Sequence, residues 1–448
     1  MQGQNLLQRL DRIRPVKIHG RVSRAVGLTI EGTGPMSSIG QSCRIITEKG
    51  GLGVEAEVVG FRDDRVLLMP LGEVRGIGPG SHLIYESHSP AVPVSLSLLG
   101  RVIDGLGHPL DGQGPIPADE TYPLYRSSIN PLERSRIAQP VDLGIRAMNA
   151  LLTCGNGQRL GIFSGSGVGK SVLLGMICRQ TSADVTVIAL IGERGREVLE
   201  FIEKDLGEEG LQRAVVVAAT ADQPPLVRLR GAFIATAIAE YFRDQGKQVL
   251  LLMDSITRLA YAQREVGLAV GEPPTSKGYP PSVWTILPKI LERVAPARGG
   301  TITGLYTVLV EGDDLTDPIA DFVRAILDGH IILTRDLASR GHYPAIDVLQ
   351  SVSRVMPNIV EPDHLSATRY ILELMATYRN AEDLINLGAY RSGANPRLDL
   401  AVSMNDSINR FLRQGVLERA SLAESLQALE GLVSQAKEIE QSQARTGR

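Results

Sequence analysis

Apolar positions along the chain change their period from one region to the next, and each period predicts an element type. In residues 1–17, Leu6, Leu7, Leu10 and Ile13 fall on one helical face with Arg9, Arg12, Arg14 and Lys17 beside them, the pattern of a short basic amphipathic helix. From about Val16 to Glu86 the pattern shortens to β-type runs: Gly20–Val22, Leu28–Ile30, Cys43–Ile46, Val54–Val59, Arg65–Met69 and His82–Tyr85. Turn signals such as Glu48–Gly53 and Asp63-Asp64 separate them, which predicts a small closed β-barrel. Ser87–Val94, with prolines at 90 and 93, reads as a linker ending that domain. Over 97–360 nearly continuous apolar strands (Val185–Ile191, Ala214–Ala218, Gln248–Met253) alternate with helices around Val198–Leu206 and from about Pro225 to Gln245. Strands of that kind predict a mostly parallel sheet covered by helices on both faces, with ligand loops at the strands' carboxyl ends. In the last ninety residues helical spacing returns, in the stripes Ile371/Leu374/Met375/Tyr378, Ala401/Met404/Ile408/Phe411/Leu412 and Leu422/Leu426/Leu429/Val433/Ala436. These predict a bundle core, with 441–448 a frayed end. The expected division is a basic helix at 1–19, a barrel at 20–90, an α/β domain at 91–360 and a helical domain at 361–448.

Composition removes several function classes. With 47 basic and 50 acidic side chains the net charge is −3, which argues against a surface that coats nucleic acid generally. No stretch reaches eighteen consecutive apolar residues and the N-terminus lacks a signal-peptide core, so a cytosolic chain is expected. Cys43, Cys154 and Cys178 lie far apart, without metal or disulfide spacing, and read as reduced packing residues. The basic leader at 1–17 touches acidic lipid or a partner on one reading, and packs on the next domain on the other.

The chemistry centres on Ser164-Gly-Ser-Gly-Val-Gly-Lys-Ser-Val172, where an apolar strand breaks into a glycine-rich loop. Gly165, Gly167 and Gly169 let main-chain N–H groups turn onto a phosphate together with those of Ser166 and Val168. Lys170 reaches the β- and γ-oxygens, and the Ser171 hydroxyl is placed to ligate Mg²⁺. The helix that opens through Val172 aims its positive end at the same anion. Ser164 stands where the strict phosphate-loop pattern has glycine. A second apolar strand runs into Asp254, which reads as a Mg²⁺-side carboxylate or as a helix cap with Ser255. A third runs into Ile191-Gly-Glu-Arg-Gly-Arg-Glu197, which offers Glu193 as the base for an attacking water and Arg194 for the γ-phosphate; a surface charge cluster is the alternative.

Leu99–Gly112, Gly192–Glu197 and Tyr343–Arg354 together resemble the catalytic subunits of the rotary ATP synthase superfamily. Pro344-Ala-Ile-Asp…Ser351…Ser353 matches that superfamily's signature at every fixed position. Ser164–Met176, Ala262–Ala269, Gly271–Ser282 and Ile326–Ile331 closely resemble the flagellar type III protein-export ATPases, which also tolerate a small residue at Ser164's position. The resemblance spans about 20–415 and implies ATP hydrolysis with Mg²⁺. It assigns Glu193 as general base, Tyr343 as the ring stacked on adenine, and Arg354 as an arginine reaching into a neighbouring subunit's site. It further implies a homohexameric ring on the cytoplasmic face of the inner membrane, with stalk and regulator proteins, export substrates and their chaperones as partners. Residues 271–282 resemble the loop that faces the ring's channel, where Lys277 and Tyr279 would meet a stalk or substrate. The rival readings are a virulence injectisome ATPase, a hexameric RNA translocase, which the aromatic-poor segment 20–86 disfavours, and a non-catalytic ring subunit, which Glu193 disfavours.

Overall fold

The structure is a computed structural model that describes residues 19–446 apart from 35–36, 47–52, 87–89, 298, 311, 313 and 315, and leaves out the side chains of 444–446. The expected basic helix at 1–17 lies outside the described residues.

Six antiparallel strands, β1 (His19–Val26), β2 (Thr29–Thr33), β3 (Ser42–Ile46), β4 (Val54–Arg62), β5 (Arg65–Pro70) and β6 (His82–Tyr85), close into a barrel in the order β1-β2-β5-β4-β3-β6. Alternation along the strands turns Val22, Ile30, Ile45, Val58, Leu68 and Leu83 into its core, and closure leaves no open sheet edge. The proline-bearing stretch expected to be a linker contributes a strand instead. β7 (Ala91–Val94) precedes β8 (Val102–Asp104) and pairs antiparallel with β9 (Glu120–Pro123). Val92 and Val94 are buried while Ala91 and Pro93 face out, so two-residue periodicity outweighs the proline, which an edge strand tolerates.

The main sheet adds β10 (Arg159–Ser164), β11 (Val185–Ile191), β12 (Ala214–Ala219), β13 (Gln248–Asp254), β14 (Thr301–Leu309), β15 (Gly329–Leu333) and β16 (Val352–Ser353), in the order β16-β15-β10-β14-β13-β11-β12-β8. Only β16 runs antiparallel. Its central strands are buried on both faces, which explains their unbroken apolar runs. One face packs α4 (Pro225–Asp244), α5 (Ile256–Val270), α6 (Pro281–Leu291) and α7 (Pro318–Ile326). The other packs α1 (Lys170–Gln180) and shares a core with α8 (Pro362–Asn386), α9 (Pro396–Leu412) and α10 (Leu422–Thr446) through Ile371, Leu374, Met404, Ile408 and Leu429. Helix α10 continues through 441–446, where a frayed end was expected. The region expected as one helix over 198–206 is α2 (Gly195–Glu200), a wider π-helical turn at Phe201–Leu206, and α3 (Gly207–Gln212).

Helix α4 is buried almost all round, and its polar side chains are paired accordingly. Arg230 reaches Glu57 of the barrel at 2.7 Å, with the Tyr125 hydroxyl donating to the same carboxylate at 3.2 Å; this ties the barrel to the sheet domain. Glu240 pairs with the fully buried Arg293 at 2.8 Å. The three cysteines are free and buried, and burial pushes their thiols up to about 12.

Candidate nucleotide site

Strand β10 delivers the chain into the glycine loop, and α1 opens at Lys170 directly behind it. Gly167 and Gly169 have φ of +79° and +87°, left-handed values at which a side chain is strained. At Gly169 a Cβ would also come within 3.3 Å of the Tyr343 ring. The loop therefore needs glycine both for its turn and for the aromatic lying against it.

A cavity of about 420 Å³ opens above the loop. Gly165, Ser166, Gly167, Gly169, Lys170, Ser171 and Val172 line it on one side, with Glu193, Arg194, Glu197, Asp254 and Arg258 opposite. Three strand ends, β10, β11 and β13, thus meet where a parallel sheet presents its ligand loops. Ser164 and Val168 do not line the cavity. Both are buried at 1% exposure, Ser164 at the strand's end with its hydroxyl unpartnered and Val168 packed in the core beneath.

The charged groups form one cluster. Lys170 Nζ is hydrogen-bonded to Asp254 Oδ1 and lies 3.8 Å from Glu193 Oε1. Asp254 also accepts a 2.6 Å bond from the Thr307 hydroxyl of neighbouring β14, which orients the carboxylate toward the lysine. The helix cap that competed for Asp254 is supplied by Ser255, whose hydroxyl accepts from Arg258 N at 3.3 Å, leaving Asp254 to the cavity. Glu193 is fixed through its main chain, with its carbonyl accepting from Ala221 N at 3.0 Å, while its Oε1 is buried without a hydrogen-bond partner. Burial, with the negative charge of Asp254 next, pushes the Glu193 carboxyl up to about 7 against the opposing pull of Lys170. A carboxyl poised near neutrality is suited to exchanging a proton with water.

Arg194 lines the rim, largely exposed, 3.7 Å from Glu197. Tyr343 is 46% exposed against Gly169, and Gln414 N donates to its carbonyl at 3.0 Å, so the helical domain braces it. Arg354 is not among the residues lining its own chain's cavity. Following β16, it donates to the carbonyls of Leu327 at 3.2 Å and Arg324 at 3.4 Å.

Two site residues escaped the sequence reading. Arg258 projects into the cavity from the first turn of α5, with its Nε unpartnered; a cation there opposes the helix dipole, which was the available signal. Gly192 (φ +72°) makes room for it, since a Cβ there would approach Arg258 Cβ to 2.8 Å. Thr307 is a fully buried hydroxyl in β14, which also carries Thr301, Thr303 and Tyr306, so nothing in the strand's sequence singles it out. Among the described residues no cluster of three or more His, Cys, Asp or Glu could hold a metal. Ser171, Asp254 and the unpartnered Glu193 oxygen are hard donors too few for an all-protein cage. That fits Mg²⁺, which keeps water and takes phosphate oxygens beside one or two carboxylates.

In residues 271–282, which the resemblance led one to expect at a ring's channel, the structure departs from expectation at Tyr279. Tyr279 is buried at 4% exposure, between Tyr261 and Trp284 with Arg264 over its ring, so it is packing rather than a contact surface. Lys277 is exposed and lies 3.7 Å from Asp317.

Comparison with known proteins accords with this geometry. Residues 22–84 match the ATP synthase alpha/beta family, beta-barrel domain, residues 144–353 its nucleotide-binding domain, and 360–431 the T3SS EscN ATPase C-terminal domain. The chain is 54% identical over 421 residues to a flagellum-specific ATP synthase of Pseudomonas aeruginosa, covering 93% of each chain. It is 48% identical over 417 residues to a type 3 secretion system ATPase of Sinorhizobium fredii, covering 93% of this chain and 92% of that one. It superposes with a TM-score of 0.86, at 47% identity and covering 92% of this chain and 100% of the other, on the assembled ATPase EscN in complex with its central stalk EscO from the enteropathogenic E. coli type III secretion system. A barrel, a phosphate-loop sheet domain and a helical domain in this order, carrying these residues at one cavity, make this chain an ATP-hydrolysing member of the ATP synthase alpha/beta family, in the group of the flagellum-specific ATP synthases and type 3 secretion ATPases.

Proposed function

We propose that this enzyme is the ATP-driven motor of a flagellar protein-export apparatus, working as a homohexameric ring whose sites are shared between neighbours. The observation that carries the catalytic part is the seating of Glu193, its carboxyl raised to about 7, in one cavity with Lys170 and Asp254. The loop N–H groups and the end of α1 bind the phosphates. Lys170 exchanges its carboxylate partner for β- and γ-oxygens, Arg194 and Arg258 stand on the γ-phosphate side, and Tyr343 stacks on adenine. Ser171 and Asp254 hold Mg²⁺, which neutralises phosphate charge when bound. Glu193 orients the attacking water and takes its proton. Arg354 lies outside its own cavity, which supports its acting on the neighbouring subunit, where a trans arginine contributes about 10³–10⁵ in rate. One chain carrying both base and finger makes a closed head-to-tail ring of identical subunits self-sufficient.

A stalk partner in the channel is supported by the stalk-bound relative of the same fold. Export substrates with their chaperones, a regulator, and peripheral attachment to the inner membrane through 1–17 complete the reading. No helix of the described residues is long and apolar enough to cross a membrane. Phosphate release by the purified full chain tests the shared site: specific activity per subunit rises with protein concentration and requires Mg²⁺, whereas activity independent of concentration sinks it. Deleting the gene assigns the branch. Loss of flagellar filaments supports the flagellar reading, and intact filaments with lost injectisome secretion replace it.

A further inference from the structure

A second open cavity, of about 740 Å³, lies beside Arg354 and away from the nucleotide. Arg134, Arg136, Arg159, Ile137, Asp328 and Val355 form its walls. It is continuous with the finger, because Arg354 N donates to Asp328 O at 3.0 Å and Val355 is the next residue. Its cations are unevenly used. Arg159 is hydrogen-bonded to Asp328 and Glu292, and Arg134 pairs with Glu292 at 2.8 Å. The side chain of Arg136 has no hydrogen-bond or ion-pair partner among the described residues. Two residues before Arg134, Leu132 is 94% exposed. An unpaired arginine thus lines the concavity, and a bare leucine stands two residues before another of its wall residues.

Across the molecule, the element that leaves Glu193 carries the complementary surface. Between Arg194 and Glu209 stand six carboxylates, Glu197, Glu200, Glu203, Asp205, Glu208 and Glu209, against three cations. Glu203, Glu208 and Glu209 are exposed and without partners among the described residues, and Leu199 is 55% exposed. This acidic edge runs from the end of α2 through the π-helical turn into α3, with a break in helical geometry at Gly207. Its inner side is part of the nucleotide site, since Val198 and Phe201 line that cavity, and the π-helical turn packs so closely on α1 that a Cβ at Gly175 would meet Asp205 O at 2.5 Å.

We infer that the Leu132–Ile137 rim of one subunit docks on the acidic edge of the next subunit, Leu199 through Glu209, at the interface that carries Arg354. The inference rests on the shared-site reading, in which the surface around one subunit's finger meets the surface around its neighbour's Glu193. The occupant of the basic concavity is then a second copy of this chain. Complementary charge fixes the register of the two faces, and the leucines exclude water between the pairs. Because the acidic edge also walls the nucleotide cavity, closure of one site on ATP is felt by the subunit that supplies the arginine.

The full-length chain tests this by sedimentation velocity with Mg²⁺ and a non-hydrolysable ATP analogue. Arg136→Glu sets like charges against the acidic edge and is expected to raise the protein concentration at half-assembly about tenfold or more, with analogue affinity of the dilute subunit unchanged. Adding Glu203→Arg with Glu208→Arg to the same chain restores assembly toward the parent. Parent-like assembly of Arg136→Glu overturns the inference. Loss of assembly that the paired reversal does not repair overturns it as well. The shared-finger reading fails separately. Arg354→Ala rings that assemble and fully hydrolyse ATP remove the finger's role while leaving charge-reversal rescue to decide the docking surface.

Discussion

Replacing Glu193 with glutamine separates a catalytic carboxyl from a merely buried one. In the free enzyme the group holds its proton to about 7, whereas an unfolded glutamate releases it near 4.5. A carboxyl whose folded value is raised lowers stability as pH climbs from about 4.5 to about 7, and that cost is complete above 7. The difference corresponds to at most ~3 kcal/mol at pH 8, and water entering the open cavity reduces it to about half. Glu193→Gln keeps the shape and removes the ionisation. It is expected to melt higher than the parent at pH 8 and indistinguishably from it at pH 4.5. Its ATP binding stays close to the parent's, while kcat falls about 10²–10⁴-fold with the loss of the base. The parent's kcat/KM rises with pH through about 7, as the free carboxyl ionises, and the variant's residual rate loses that limb. Thermal melts at both pH values with a pH–rate profile of each protein check all of this. Near-parental turnover, or a limb that survives the substitution, refutes the assignment of the base.

Lys170→Ala removes the only cation described within ion-pair distance of both Glu193 and Asp254, and calorimetry is expected to find no measurable ATP binding; parental affinity would contradict the phosphate-loop assignment. Tyr343→Ala takes away the exposed ring lying on Gly169 and is expected to raise KM for ATP about tenfold with kcat little changed, since base stacking contributes ~1–3 kcal/mol; an effect confined to kcat would remove the adenine role. Arg230→Met leaves Glu57 buried without its cation, with only the Tyr125 hydroxyl donating to it, an expected loss of about 3–5 kcal/mol seen as a lower melting temperature, and an unchanged melt would mean the pair does not join barrel and sheet domain.

Much of the fold was legible because period and burial agree. The two-sided burial of β11, β12 and β13 demands unbroken apolar runs, and the helical stripes at Ile371/Leu374 and Met404/Ile408 face the core as their spacing predicts. Legibility failed where a local signal met a tertiary one. Pro93 suggests a linker until β9 supplies it with an edge to lie on, and Tyr279 sits in a polar, proline-rich stretch whose aromatic neighbours come from α5 and α6. The π-helical turn at Phe201–Leu206 has no period of its own to reveal it. In the site, Lys170, Glu193 and Asp254 end or follow strands and could be found from motif and position. Arg258 and Thr307 belong to no motif, and only the approach of β11, β13 and β14 brings them in. Arg354 is singled out only by the family resemblance, and within one chain it donates to the carbonyls of Leu327 and Arg324 and stays outside the cavity, so the role proposed for it needs a second copy.

Subunit mixing therefore tests the central claim most directly. Arg354→Ala subunits retain a complete phosphate loop and base but lack a finger to lend, whereas Lys170→Ala subunits retain the finger and cannot use their own site. Each is expected to be nearly inactive alone. Mixed in rings shown by mass spectrometry to contain both, they are expected to regain a fraction of parental hydrolysis that follows the share of Arg354→Ala sites facing a Lys170→Ala neighbour's arginine. No recovery in rings proven mixed would contradict a nucleotide site completed across the subunit boundary.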